Sequence, residues 1–227
     1  MGVIVKICGL SSEETLDAAL DAGADMIGLV AFPPSPRFVA PDVAAGLAAR
    51  ARGRAEIVVL TVDMAEHDLA GLVTAVEPDW LQFHGRESPE AVASARTRFG
   101  RKVMKAVGIR DAGDLQSTRG YAAVADRLLL DAKAPKGAVL PGGRGEAFDW
   151  QILAGFAPGQ PFMLSGGLNA ENVGDALDIT GAAGVDVSSG VETAPGRKDP
   201  DLIAAFVVAA RRTVAGLVPG TVERAVS

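Results

Sequence analysis

The chain has 227 residues, of which 48% are hydrophobic and 22% are charged, as is ordinary for a soluble globular protein, and its net charge is −6. An acidic chain without a block of basic residues argues against nucleic acid or a membrane surface as a partner, although a few local donors can still hold a small anion. A single cysteine cannot form an internal disulfide. No apolar run approaches the roughly 20 residues that span a bilayer, and the N-terminus lacks the basic stretch and following apolar stretch of a signal peptide. We therefore expect a cytoplasmic protein.

Short runs rich in Val, Ile and Leu recur along the chain and predict eight β-strands. They cover residues 3–8, 25–32, 56–63, 80–84, 102–108, 127–132, 161–165 and 183–188. Because each is followed by a helical segment, we predict an α/β fold, a (β/α)8 TIM barrel over residues 1–216, with a loose tail at 217–227. The alternative is a doubly wound open sheet, which usually has fewer strands and a glycine-rich turn after strand 1.

Two of the predicted helices carry clear start and stop signals. After strand 1, Ser11 or Ser12 can cap a helix that Gly23 ends. Near the other end of the chain, Asn169 is the predicted cap and Gly181 the predicted stop.

Alternate side chains of a strand point to opposite faces of the sheet. On strands 1, 4, 6 and 8, polar side chains share one of these phases and apolar side chains share the other. The polar phase carries Lys6, Cys8, Gln82, His84, Asp131, Lys133, Asp186 and Ser188. In a barrel this phase points into the lumen, whose C-terminal rim is where barrel enzymes place their active sites. We therefore expect Cys8, His84, Asp131 and Asp186 to converge at one mouth, rather than to meet solvent separately.

Two loops that contain glycine, after strands 7 and 8, predict a phosphate site. SGGLNAENV contains Gly166 and Gly167, and DVSSGVE contains Ser189 and Gly190. Glycine lets the backbone approach a ligand with its N–H groups, and barrels commonly bind phosphate at these two loops.

Two further loops suggest binding roles. KAPKGAVLPGGRGEAFDW, after strand 6, is long enough to be a mobile lid in which Gly142, Gly143 and Gly145 give flexibility and backbone donors; the alternative is a plain surface excursion. In FPPSPRFV, after strand 2, three prolines stiffen the chain around Arg37, which suits carboxylate binding, although a surface arginine at a rigid turn fits equally well.

These segments together closely resemble the phosphoribosylanthranilate isomerase family. The matching stretches, in the family's order between residues 5 and 199, are VKICGL, AGADMIGLV, FPPSPRFV, LQFHG, LLLDAK, GGRGEAFDW, SGGLNAENV, GVDVSSGVE and PGRKD. The resemblance implies a barrel isomerase of tryptophan biosynthesis that needs no cofactor or metal. Its substrate would be a phosphorylated small molecule, N-(5′-phosphoribosyl)anthranilate, which an acid–base Amadori rearrangement converts to 1-(2-carboxyphenylamino)-1-deoxyribulose 5-phosphate. The sequence does not decide between a monomer and a homodimer.

The resemblance also implies a role for each matching residue. Cys8 would be the general base and Asp131 the general acid. Arg37 would hold the anthranilate carboxylate, His84 would lie on the anthranilate side, and Asp186 would lie near the ribose hydroxyls. The phosphate would be held by the last two loops, through Gly166, Gly167, Ser189 and Gly190. Strand 3 ends in LTVDM where members often have Phe and Asn, which leaves the role of Asp63 open.

The residue types suit this chemistry. Opening the ribose ring needs a proton on the ring oxygen, which a carboxylic acid in a partly buried site can deliver, and Asp131 follows three leucines. A thiolate at Cys8 can remove the C2′ proton. This role would need a lowered thiol pKa, for which Lys6, on the same face of the strand, is one candidate cation, and the sequence leaves the pKa itself undetermined. The alternative for Cys8 is a small apolar filler.

Three other functions fit parts of the pattern. A lyase similar to indole-glycerol-phosphate synthase shares the phosphate loops but is expected to carry catalytic lysines and glutamates on strands 1 to 3. A non-catalytic barrel scaffold would be favoured if Cys8 or Asp131 were replaced. A dual-substrate isomerase that also serves histidine biosynthesis usually pairs aspartates on strands 1 and 5, whereas strand 1 here carries Cys8.

Overall fold

A computed structural model describes residues 2–133, 142 and 147–215. Its eight main strands are parallel and close into a barrel in chain order, with the last strand beside the first. They are β1 Ile4–Cys8, β2 Met26–Val30, β3 Glu56–Thr61, β4 Trp80–Phe83, β5 Lys102–Ile109, β6 Arg127–Ala132, β7 Phe162–Leu164 and β8 Gly184–Val187. The predicted (β/α)8 TIM barrel is confirmed, whereas the predicted tail at 217–227 lies outside the described residues.

Helices surround the barrel between most strands. They are α1 Glu13–Asp21, α2 Pro41–Ala51, α3 Glu66–Val76, α4 Pro89–Phe99, α5 Arg119–Ala122, α6 Val173–Thr180 and α7 Pro200–Ala215. After two of the strands the described helical segment is short. After β5 the chain forms a 3₁₀ helix, Ala112–Thr118, that runs into the single turn of α5, and glycines within this segment are poor helix formers. After β6 the helical element among the described residues is the 3₁₀ helix Trp150–Leu153.

Of the four predicted ends of α1 and α6, three are confirmed and the N-cap of α6 is wrong. Ser12 caps α1, and the left-handed Gly23, with φ of 86°, follows its end. Gly181 ends α6 with φ of 62°. The N-cap of α6 is Asn172 rather than Asn169, because the Asn169 side chain accepts the N–H groups of the turn before the helix.

Apolar side chains fill the lower lumen of the barrel. This plug consists of Met26, Val58, Trp80, Met104, Ala106, Leu129 and Met163. An apolar plug at the N-terminal end leaves space for polar chemistry only above it, toward the C-terminal mouth. No helix among the described residues is long and apolar enough to cross a membrane.

A short antiparallel hairpin follows β8 and was not predicted. It consists of β9 Glu192–Ala194 and β10 Arg197–Lys198. Its turn contains Gly196, whose φ of 81° is left-handed. The hairpin places two charged side chains, Glu192 and Lys198, beside the mouth of the barrel.

Candidate active site

One cavity at the C-terminal mouth collects polar side chains from four strands. Cys8, His84, Asp131 and Asp186 all line it, together with Arg37 from the loop after β2. The rest of its lining is Val30, Phe32, Ser35, Leu60, Val62, Gly142, Ser165 and Ser188. The structure therefore brings the four strand-end residues to one mouth, beside an apolar wall.

Cys8 lies at the end of β1 with 4% of its surface exposed. Its neighbour in register on β2 is Gly28, where a Cβ atom would lie 2.8 Å from the Cys8 Sγ. Glycine is therefore needed at this position to leave room for the thiol. Val30 and Leu60 complete an apolar surrounding for the sulfur.

Burial raises the pKa of the Cys8 thiol, because a thiolate loses hydration there. Lys6 and Lys198 act in the opposite direction, Asp186 adds to the rise, and the net shift is upward. The net shift is therefore opposite to the one that a thiolate base would need. The physical reason is that desolvation outweighs the two nearby cations.

Lys6 and Asp186 form an ion pair beneath the mouth. They are register partners on β1 and β8, and Lys6 Nζ donates to Asp186 Oδ1 at 2.9 Å. Burial alone would lower the pKa of Lys6, but the carboxylate of Asp186 and the nearby Cys8 raise it above its ordinary value. Lys6 is thus a protonated lysine one layer below the thiol.

Asp131 and His84 make a second pair on the opposite side of the cavity. His84 Nε2 lies 3.2 Å from Asp131 Oδ2, while Asp131 Oδ1 accepts the N–H of Ala132 at 2.9 Å. Gly142 packs against both, since a Cβ atom there would collide with Asp131 Oδ2 and lie 3.0 Å from His84 Nε2. The sequence did not predict that His84 contacts the proposed acid. Gly143 and Gly145, the other glycines of the proposed lid, lie outside the described residues.

Arg37 is held by a carboxylate that sequence reasoning missed. Its Nε and Nη2 donate to Glu192 Oε1 and Oε2, both at 2.7 Å, and Lys198 Nζ donates to Oε1 at 2.6 Å. Glu192 and Lys198 both belong to the hairpin after β8. A signal was available in ETAPGRK, where charged residues flank a Pro-Gly turn directly after a site strand.

The two predicted phosphate loops lie against each other. Gly190 packs so tightly on the carbonyl of Leu168 that no side chain would fit. Gly166 and Gly167 are left-handed, with φ of 91° and 68°. Within the part of the chain that the structure describes, the N–H groups of these two glycines find no acceptor. Ser189 begins a short 3₁₀ turn, Ser189–Val191, next to them.

Asp63, whose role the sequence left open, does not line the cavity. Its Oδ1 accepts the N–H of Arg86 at 2.6 Å, and its own N–H donates to Glu87 at 2.9 Å. Asp63 therefore ties the loop after β3 to the loop after β4. The described residues contain no cluster of three or more His, Cys, Asp or Glu side chains that could hold a metal ion.

Comparisons with known proteins point to one family. The family model for N-(5′-phosphoribosyl)anthranilate (PRA) isomerase matches residues 5–209. The N-(5′-phosphoribosyl)anthranilate isomerase of Afipia carboxidovorans is 59% identical over 93% of this chain and 90% of its own length. The crystal structure of the phosphoribosylanthranilate isomerase from Thermotoga maritima has a TM-score of 0.84 and 34% identity, covering 92% of this chain and 99% of that one. A second structure, of a phosphoribosylanthranilate isomerase in complex with reduced 1-(o-carboxyphenylamino)-1-deoxyribulose 5-phosphate, has a TM-score of 0.81 and 31% identity, with the same coverage of 92% and 99%.

Proposed function

This chain belongs to the N-(5′-phosphoribosyl)anthranilate isomerase family, and from that membership we propose how its cavity performs the reaction. The protein is an isomerase of tryptophan biosynthesis that converts N-(5′-phosphoribosyl)anthranilate to 1-(2-carboxyphenylamino)-1-deoxyribulose 5-phosphate. The observation that carries the mechanism is the presence of a carboxyl group, Asp131, and a thiol, Cys8, in the lining of one cavity.

Asp131 is the general acid of the first step. It protonates the ribose ring oxygen while the C1′–O bond breaks, and the lone pair of the anthranilate nitrogen forms the C1′ iminium. His84, 3.2 Å away, and the N–H of Ala132 hold the two carboxyl oxygens of Asp131 in place. The Asp131 side chain is 5% exposed, so little water competes for its proton.

Cys8 is the general base of the second step. The iminium makes the C2′ proton acidic; the thiolate removes it, and the electron pair neutralises the iminium to give an enolamine. Loss of the O2′ proton and protonation at C1′ then give the ketone. Because burial raises the pKa of the Cys8 thiol, the thiolate is a strong but sparsely populated base. The positive iminium next to Sγ favours the thiolate at the moment it is needed.

The ends of the substrate are held on different sides of the cavity. Arg37, fixed by Glu192, binds the anthranilate carboxylate, since a guanidinium held in one plane suits bidentate recognition. The apolar wall of Val30, Phe32, Leu60 and Val62 accommodates the aromatic ring, with His84 on the same side.

The sugar and phosphate lie between the remaining groups. Asp186, kept in position by Lys6, accepts from the ribose hydroxyls. The phosphate is bound by Gly166, Gly167, Ser189 and Gly190, and the unpartnered N–H groups of the first two support this. We also place the protein in the cytoplasm, as its single cysteine suggests, and its state as a monomer or homodimer stays a prediction.

The reaction itself is tested with purified protein and freshly generated N-(5′-phosphoribosyl)anthranilate. We expect the anthranilate fluorescence of the substrate to fall at a rate proportional to protein concentration, with no metal or cofactor added. Absence of turnover by correctly folded protein would contradict the function.

A further inference from the structure

Three charged side chains form a buried cluster beside the cavity. Arg37 comes from the loop after β2, while Glu192 and Lys198 come from the hairpin after β8. Their side chains are 7%, 3% and 1% exposed. Glu192 Oε1 accepts from both Arg37 Nε at 2.7 Å and Lys198 Nζ at 2.6 Å, so one carboxylate serves two cations.

The charges within this cluster do not cancel. Arg37 and Glu192 alone would be a neutral pair, and a neutral pair exerts little attraction on an anion. Lys198 adds a second positive charge to the same carboxylate, which leaves the three side chains with one positive charge in excess. A buried excess charge is costly unless an anion compensates it.

The geometry presents this excess charge to the substrate. Arg37 lines the cavity, whereas Glu192 and Lys198 lie behind it. Lys198 is fixed on its other side, where Nζ donates to the Ser188 carbonyl at 2.9 Å and to Ser188 Oγ at 3.1 Å. Burial lowers the pKa of Lys198 overall, although the carboxylate of Glu192 opposes that shift. The contacts of Nζ with the Glu192 carboxylate and the Ser188 carbonyl, both of them acceptors, favour the protonated form.

We propose that Lys198 is a positioning residue that determines the preference for a carboxylate on the aromatic ring. Lys198 compensates the negative charge of Glu192. Glu192 can then hold the Arg37 guanidinium while Arg37 keeps its attraction for the substrate carboxylate. Lys198 does not touch the substrate. This inference rests on the proposed role of Arg37 and extends it to the residues behind it.

The test measures how much a ligand's carboxyl group contributes to binding in each variant. Two probes are used: reduced 1-(o-carboxyphenylamino)-1-deoxyribulose 5-phosphate and the same compound with a plain phenyl ring. Their dissociation constants are measured by titration calorimetry with wild type, Lys198→Met and Arg37→Met. The ratio of the two dissociation constants isolates the contribution of the carboxyl group to binding, because general loosening of the site would weaken the binding of both probes alike.

For Lys198→Met we expect the preference for the carboxylated probe to fall roughly 10-fold, within the usual range for coupling between groups that do not touch. Binding of the phenyl probe should change little. The variant should fold, because Glu192 keeps its bidentate contact with Arg37. If it does not, Lys198→Gln, which removes the charge but keeps a donor for Ser188, is judged by the same ratio.

Lys105→Met is the matched control. Lys105 is also a buried lysine that donates to a carboxylate, Glu87, at 2.9 Å, but it does not line the cavity. It should keep the wild-type preference. If Arg37→Met loses the preference and the Lys198 variant keeps it, the inference about Lys198 is wrong. If Arg37→Met itself keeps the preference, the proposed role of Arg37 is wrong instead.

Discussion

Lys6 and Asp186 face each other across the β1–β8 seam of the barrel and form an ion pair of 2.9 Å directly beneath Cys8. Both side chains are buried, at 0% and 5% exposure. The pair supports the floor of the active site and joins the first strand to the last one. Breaking it by removing one partner leaves an uncompensated charge in the interior.

Replacing Lys6 by Met should therefore destabilise the protein strongly. We expect a loss of about 3 kcal/mol in the free energy of unfolding, measured by urea denaturation. Lys102→Met is the control, because Lys102 pairs with Glu56 at a similar 2.8 Å but with half-exposed side chains. Its cost should stay below about 1 kcal/mol. Equal losses for the two variants would mean that burial of the Lys6–Asp186 pair is energetically unimportant.

The raised pKa of Cys8 predicts the pH dependence of the reaction. The active form of the base is the thiolate, and a raised pKa means that its population grows only as the pH rises above neutrality. The charged groups around the thiol are Lys6, Lys198 and Asp186, and they do not reverse the effect of burial. We expect kcat/KM to increase from neutral to alkaline pH.

The thiol titration can be followed separately by the ultraviolet absorbance of the thiolate, with Cys8→Ser as the blank because Cys8 is the only cysteine in the chain. Its midpoint should lie above the ordinary thiol value of about 8.5. A midpoint below that value, with activity already maximal at neutral pH, would show that the cations dominate the environment of Cys8.

Gly28 should be required for the position of the thiol. In Gly28→Ala the new methyl group would lie 2.8 Å from Cys8 Sγ and 3.0 Å from its Cα, so the sulfur must shift. We expect kcat to fall roughly 100-fold, the usual cost of misplacing a reacting group by about 1 Å. The KM should change much less, because the substrate contacts lie elsewhere.

Gly46→Ala provides the comparison, because Gly46 lies in α2 and, apart from its chain neighbours and the nearby backbone of its own helix, no atom lies within 4 Å of the added methyl. It should leave kcat unchanged and raise the melting temperature slightly, since Ala is a better helix former than Gly. Normal kcat in Gly28→Ala would argue that the exact placement of Cys8 is unimportant for the reaction.

The barrel and the convergence at its mouth were predictable because they depend on local periodicity. Each of the eight predicted strands lies within two residues of the observed one. The polar phase of the strands placed Cys8, His84, Asp131 and Asp186 at one end, since side chains alternate regularly along a strand.

The features that could not be predicted from the sequence depend on how segments far apart in the chain come together. Glu192 contacts Arg37 across 155 residues of chain, and no local pattern links the two. The direction of the Cys8 pKa shift depends on the balance between burial and nearby charges, and that balance is set by the tertiary structure. The segment after β5 looked like an ordinary helix position, although its glycines and the paired Asp111 and Asp114 caps produce a 3₁₀ helix.

The central claim is that Asp131 and Cys8 divide the acid and base roles between them. The most direct test measures the turnover of wild type, Asp131→Asn and Cys8→Ala. Each protein is assayed with ordinary substrate and with substrate deuterated at C2′. We expect each substitution to lower kcat/KM by at least roughly 100-fold, as for the loss of a general acid or base. The primary isotope effect should be smaller in the residual activity of Asp131→Asn than in the wild type, because slower ring opening then limits the rate and masks the C2′ step. Cys8→Ala turning over at nearly the wild-type rate, with C2′ proton removal unaffected, would contradict the account.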